Sequence, residues 1–452
     1  MLLGLGGTVY VLAGPTGAQL PPVQGKPPIT APNPATQPPT VATPVPATPP
    51  PMSEIAKGSL PAPPTIQAAS AILVDAVSGQ VLYEQNADVR RPMASTTKIM
   101  TALLFCECVK EDAVITASKH ASETKESSLH LKPGEKISGR DLLHAMLMRS
   151  ANDSCVAAAE HVAGTEAAFV EKMNQRALQL GAANTHFVNP HGLHHKEHYT
   201  TARDLATIAR AAILEPRINE VTGTQRYKIA RSMNKLDLHL RNHSHFLGKF
   251  PGADGIKTGY TIPAGHCYVG SATWGNWRLI SVVLKSPDYV HETALLMKYG
   301  FTHFEPHLVA KAGDAAGTCP VKGGVKPDIR MSVKNPLQVI LPKGENSLIE
   351  PRTQLTPVTA PLTAGQTVGT LGAYLDGKLI CTSPLVTNEA CPAAPVALQI
   401  QQKMGFLGWL WPGPTILTLG LVSLFYGKRN RTRFATSSKG TRRRRRRFPQ
   451  GL

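Results

Sequence analysis

Three short motifs, far apart in the chain but in a chemically sensible order, limit what this sequence can fold into. Ser95-Thr96-Thr97-Lys98 comes first, Ser150-Ala151-Asn152 begins 55 residues after Ser95, and Lys257-Thr258-Gly259 begins 105 residues after Asn152. Singly they carry little. At ordinary residue usage Ser-x-x-Lys arises about twice in a chain of this length, and Lys-Thr-Gly in roughly one such chain in ten. Read alone, they are a solvated helix face, a helix cap and a turn. Together they supply an acyl-transfer site, which needs a nucleophile, a base beside it, a proton for the departing amine and donors for an oxyanion. A fold that uses them must carry all three segments to one cleft.

Each residue type suits one task. Ser95 is the candidate nucleophile. Residues 93–108 contain no Gly or Pro and read as a helix, which puts Lys98 on the same face as Ser95. Lys98 must be neutral to accept the serine proton; desolvation and a second cation depress a lysine, and Lys257 is the evident second cation. Ser150 can relay a proton between Lys98 and the departing amine. Asn152 can donate to a substrate amide carbonyl and contact Lys98. Lys257 and Thr258 can bind a terminal carboxylate, and Gly259, lacking Cβ, lets a substrate backbone lie close. The oxyanion donors are expected to be the backbone N–H groups of Ser95 and Tyr260.

The residues around these motifs resemble the low-molecular-mass penicillin-binding proteins of the D-alanyl-D-alanine carboxypeptidase type. The similar stretches are 94–101 at the nucleophile, 150–157 at the second motif, Asn189-Pro190-His191-Gly192-Leu193 with 201–205, and 254–261 at the third. The resemblance runs from about Ala69 to Tyr299 and more loosely beyond. It implies a serine β-lactamase-like fold, no cofactor, peptidoglycan stem peptides as substrates and β-lactams as covalent ligands. It also implies that Arg278 helps to hold the substrate carboxylate. Two departures stand out. Tyr260 occupies a position where some members have His, and Ala151 one where Gly is common; the second is tolerable if the backbone there is helical.

Strand and helix patterns fit that fold. Residues 71–75 and 80–83 around Val77-Ser78-Gly79 read as a β-hairpin, and 257–261, 266–273 and 278–284 as consecutive antiparallel strands. Helical periodicity marks 141–147, 153–162, 166–180, 202–214 and 291–299. The expectation is an α/β (α+β) domain over 65–300: an antiparallel five-stranded sheet flanked by helices, with Lys-Thr-Gly on an edge strand free to pair with an extended peptide. From 301 to 400 short strands alternate with Gly/Pro turns, the pattern of a small β-rich domain.

The chain ends explain the charge. The formal charge is +18, but residues 428–452 hold 11 Lys or Arg and no acid, which leaves +7 on the other 427 residues and no sign of a nucleic-acid surface. Residues 404–427 are uncharged and mostly apolar, long enough as a helix (about 36 Å) to span a bilayer. Trp409 and Trp411 suit an interface, and the basic tail reads as cytoplasmic, placing the catalytic domain outside the cell membrane. Residues 1–20 resemble the apolar part of a signal peptide, although no Lys or Arg precedes Lys26. Residues 21–64 read as a proline-rich extended linker.

Cys106, Cys108 and Cys155 lie in apolar helical contexts and read as buried thiols, while Cys381 and Cys391 could pair in an oxidising compartment. His191, His194, His195 and His198 are spaced so that imidazoles could converge on zinc. With no carboxylate-backed H-E-x-x-H they read instead as a polar surface loop, and no metal site is assigned.

The expected function is a serine D,D-carboxypeptidase acting through an acyl-enzyme on Ser95. The alternatives are a β-lactamase, disfavoured because no Glu-x-x-Leu-Asn segment lies between Asn152 and Lys257, or a catalytically inactive wall-binding membrane protein.

Overall fold

A computed structural model describes residues 60, 62–345 and 348–395. The signal-like segment, most of the proline-rich linker, the 404–427 anchor and the basic tail lie outside these residues. Among the described ones, no helix is long and apolar enough to cross a membrane.

Strands β1 (Ser70–Asp75) and β2 (Val81–Gln85) form the opening hairpin. Helix α1 (Lys98–Cys108) follows, then β3 (Val114–Thr116), α2 (Lys119–Ser122) and β4 (Lys136–Ser138). Helices α3 (Gly139–His144), α4 (Asn152–Ala163), α5 (Glu166–Gln179), α6 (Ala202–Ala212) and α7 (Pro216–Gly223) come next. The short pair β5 (Arg226–Lys228) and β6 (His239–Arg241) leads to the long strands β7 (Ala253–Thr261), β8 (Gly265–Trp274) and β9 (Trp277–Ser286), and then to α8 (Tyr289–His303).

The main sheet has the order β2-β1-β9-β8-β7, all neighbours antiparallel, so β7 with its Lys-Thr-Gly is an edge strand as expected. Its inner strands β1, β8 and β9 are mostly apolar on both faces because both faces are covered. Ile72, Val74, Val269, Ile280 and Val282 point into a core shared with α1 and the α3–α6 helices. The alternating set, Leu73, Tyr268, Leu279 and Val283, points to α8 and the C-terminal strands. Helix α1 runs through the first core and is buried on every side from Lys98 to Cys106, which is why its sequence shows no polar stripe. Capping fixes the helix starts: Thr165, Thr201 and Asp288 each accept from a backbone N–H of the first turn.

Helix α8 ends at His303, slightly past the expected boundary, and β10 (Phe304–Ala310) starts at once. It is followed by β11 (Ala315–Lys322), β12 (Asp328–Val333), β13 (Leu337–Pro342), β14 (Ile349–Leu355), β15 (Val358–Thr359), β16 (Thr367–Leu375) and β17 (Lys378–Thr387). Six of these strands form one sheet, and β10 pairs with β13. The expected β-rich domain is present, and it is joined to the catalytic sheet by polar as well as apolar contacts. Gln80 and Ile340 exchange two hydrogen bonds (2.7 and 2.8 Å), and the Asp75 carboxylate accepts from both Trp277 and Gln338 (2.9 Å each).

The cysteines depart from expectation. Cys381 and Cys391 are separate, buried free thiols, donating to the Gln338 and Lys326 carbonyls respectively. Cys108, the last residue of α1, is exposed because the helix leaves the core there.

Candidate active site

The polypeptide brings the three motifs together by ending elements beside one another. Ser95 lies in a 3-10 turn, Ala94–Thr97, and Lys98 is the first residue of α1; the expected single helix over 93–108 is thus a tight turn feeding a helix. Lys98 Nζ is within hydrogen-bond reach of Ser95 Oγ (2.9 Å), Asn152 Oδ1 (2.8 Å) and the His191 carbonyl (2.7 Å). The latter two can only accept. Asn152 Nδ2 is committed to the Lys125 carbonyl (2.9 Å), which fixes the amide with its oxygen towards Lys98. A neutral Lys98 therefore places its two hydrogens on Asn152 and His191 and turns its lone pair to the Ser95 hydroxyl. That is the arrangement a general base requires.

Helix α3 widens into a π-helical turn, Ala145–Arg149, and Ser150 stops it in the left-handed region (φ +63°), with its N–H on the Ala145 carbonyl. Ala151 is extended (φ −68°, ψ 121°) rather than helical, a conformation open to any L-residue, so Ala in place of Gly needs no helix to be tolerated. Asn152 then opens α4. Ser150 is nearly buried and its hydroxyl has no hydrogen-bond partner among the described residues, leaving it free to rotate towards a substrate. Behind Asn152, the buried Asp153 carboxylate accepts from the Ser128 hydroxyl and the N–H groups of Leu129 and Leu131, tying down the loop whose Lys125 and Ser127 carbonyls hold Asn152.

On the third side, β7 presses directly on the serine turn. A Cβ on Gly259 would lie 2.8 Å from Ser95 N and 3.0 Å from Thr96 N, closer than real Cβ contacts. Glycine is thus required here by the approach of two backbones, and it brings the Ser95 and Tyr260 peptides to one corner. Gly259→Ala should push β7 off the turn. The expected result is an acylation rate at least about tenfold lower, with about 1–3 kcal/mol lost in chemical denaturation; an unchanged rate would show that the contact does not shape the site.

Lys98 and Lys257 are both fully buried, and burial is the main reason that both lose protons easily. Lys98 falls to about 8 through burial, with Cys155 and the Asp153 and Glu126 carboxylates acting in the opposite direction. Lys257 falls well below the lysine range through burial and then the charge of Lys98. The sequence-based expectation named both desolvation and Lys257 as causes of the Lys98 shift. Desolvation is the part that holds for Lys98; the amine-on-amine effect falls on Lys257, which the charge of Lys98 lowers further. Lys257 Nζ donates to the Thr258 carbonyl (2.9 Å). The Tyr260 side chain is exposed, 4.7 Å from the His266 ring.

Arg278 is a correction. It lies opposite Thr273 at the far end of the β8–β9 hairpin, and its guanidinium is bound to Asp254 (2.9 Å), Ser271 (3.0 Å) and Asn219 (2.6 Å). Asp254 is three strand residues from Lys257, about 10 Å along β7. Arg278 therefore braces the base of that strand and is not among the groups gathered at Ser95.

Sequence reasoning singled out the 189–193 stretch as part of the resemblance but gave it no role, and it closes the back of the site. Asn189 Oδ1 accepts from Gly192 N (2.6 Å) and its Nδ2 donates to the Leu193 carbonyl (2.8 Å), folding 189–193 so that the His191 carbonyl meets Lys98. The histidines expected on a polar surface divide: His194 and His195 are exposed, whereas His191 and His198 are buried and held neutral, each lowered to about 3 by desolvation. The readable signal was Asn-Pro-His-Gly, a turn sequence.

Comparison with known proteins bears on the family of the chain. Residues 57–288 match the family described as D-alanyl-D-alanine carboxypeptidase, and residues 304–393 match the penicillin-binding protein 5 C-terminal domain. The chain is 33% identical over 349 residues to the D-alanyl-D-alanine carboxypeptidase DacF of Bacillus subtilis, covering 75% of this chain and 90% of that one. It is 36% identical over 355 residues to DacA of Escherichia coli K12, covering 74% and 86%. Among solved structures it resembles penicillin-binding protein 5 from Haemophilus influenzae, with a TM-score of 0.59 at 32% identity over 74% of this chain and 99% of that one.

Proposed function

Because the chain belongs to the D-alanyl-D-alanine carboxypeptidase family and is a serine-type D-Ala-D-Ala carboxypeptidase, we propose that Ser95 is its nucleophile and Lys98 its base. Ser95 Oγ attacks the carbonyl of the penultimate D-alanine of a peptidoglycan stem peptide, and its proton passes to Lys98. The N–H groups of Ser95 and Tyr260 receive the oxyanion. Lys257 and Thr258 hold the terminal carboxylate, and the stem lies along the open edge of β7. The C–N bond then breaks, the departing D-alanine takes its proton from Lys98 through Ser150, and the acyl group stays on Ser95. Water, deprotonated by the regenerated Lys98, releases the shortened peptide.

The observation that carries this reading is the 2.9 Å approach of Lys98 Nζ to Ser95 Oγ, with both hydrogens of a neutral amine committed to Asn152 and His191. β-Lactams would acylate the same serine. Intact mass of the protein after exposure to benzylpenicillin should rise by one penicillin, mapped to Ser95; an unmodified folded protein would void the residue assignments. We further propose that 404–427 anchors the protein in the cell membrane with the catalytic domain on the extracytoplasmic side, the basic tail opposing it. Protease accessibility in intact cells and in opened vesicles tests that orientation.

A further inference from the structure

His198 is buried beside the serine turn, and three hydrogen bonds fix which of its nitrogens carries the proton. Thr97 Oγ1 donates to the Ala94 carbonyl (2.8 Å), an atom that can only accept. Its single hydrogen is thereby used, so the 2.8 Å contact between Thr97 Oγ1 and His198 Nε2 must be a donation from the ring. The other nitrogen, Nδ1, accepts from the Val188 N–H (3.0 Å). Each bond demands the same neutral tautomer, which burial also favours.

The relay ends on a peptide that would otherwise have reason to turn. Ala94 holds a positive φ (+47°), unfavourable for an L-residue with a Cβ. Its carbonyl oxygen is backed by Gly192, where a Cβ would lie only 2.0 Å away. The Ala94–Ser95 peptide is planar, with its C=O and N–H on opposite sides. Holding the oxygen against Thr97 and Gly192 therefore aims the Ser95 N–H the other way, to the side where β7 meets the turn.

We propose that His198 is a positioning residue for acyl transfer, acting through Thr97 to lock the Ala94–Ser95 peptide and so the direction of the oxyanion-donating Ser95 N–H. This rests on the assignment of Ser95 as nucleophile. His198 touches neither substrate nor reacting atoms. Its effect should fall on the chemical step and spare the preceding binding.

The test is acylation of the full chain by a fluorescent penicillin in stopped flow, which separates non-covalent affinity from the acylation rate. In His198→Asn the side-chain oxygen can still accept from Val188 but nothing reaches Thr97. In His198→Gln an amide N–H can stand where Nε2–H stood. His198→Asn should acylate about 10- to 100-fold more slowly with unchanged non-covalent affinity, and His198→Gln should recover most of the rate. Thr97→Val should resemble His198→Asn, and the double variant should be no slower than the worse single one. Equal slowing of the Asn and Gln variants, a loss confined to affinity, or additive losses would overturn the proposal. Should His198→Asn fail to fold, Thr97→Val still decides it: slowed acylation with unchanged affinity supports the proposal, and a wild-type acylation rate overturns it. A wild-type protein that forms no adduct, with Ser95→Ala as the reference, would instead overturn the nucleophile assignment and this inference with it.

Discussion

Ser95→Ala abolishes covalent labelling by penicillin and lowers turnover of a D-Ala-D-Ala peptide by about 10⁴-fold or more, the scale seen when a serine nucleophile is removed. The geometry says what should survive. Lys257, Thr258 and the β7 edge do not depend on the serine hydroxyl, so non-covalent affinity for the peptide should stay within a few-fold of wild type. Only one hydrogen bond to Lys98 is lost, and Lys98 keeps Asn152 and His191. The variant should therefore melt within a few degrees of the parent. Peptide turnover and non-covalent binding, measured on one preparation, check both halves. Turnover within tenfold of wild type would remove Ser95 from the mechanism.

Lys98→Met is the second large loss, about 10³-fold or more, and its signature is in the pH profile. A base with an affinity constant near 8 is neutral in about a tenth of molecules at pH 7 and half of them at pH 8. Wild-type kcat/KM should rise with pH through that region and level off above it, because the neutral amine is the active form. In Lys98→Met the rise should disappear along with the rate. A variant that keeps the rise would assign it to another group, and the base would have to be sought elsewhere.

Much of this site is legible in the sequence because its chemistry is carried by motifs and its sheet by period-two apolar strands. Ser95, Lys98 and Asn152 are where the spacing put them, and Lys257 is on an edge strand as expected. What escaped depends on tertiary contact. No local signal marks the π turn at 145–149 or the left-handed Ser150 that ends it, since both follow from how α3 and α4 meet. His198 reads as a loop histidine until Thr97, 101 residues away, is seen to be its partner. Arg278 shows the converse limit. Sequence places an arginine on a strand next to β8 but does not reveal which end of the hairpin faces the cleft, and only the Asp254 pairing settles that. Helix α7 was overlooked although Glu215-Pro216 is a helix-start signal, with Pro at the first position and the Glu215 side chain capping Arg217 N.

The apolar interior that joins the catalytic sheet to the C-terminal strands has a mechanical meaning. Leu73, Leu279 and Val283 of the sheet share it with Val339 and Leu341 of β13, and Asp75 and Gln80 stitch the same seam. A bend between the two parts would have to expose that seam to water. The shared interior therefore favours movement of the two parts together, as a stylus moves with its shaft. To turn the mouth of the cleft away from the C-terminal strands, the chain would have to break the Asp75 and Gln80 hydrogen bonds and part that interior.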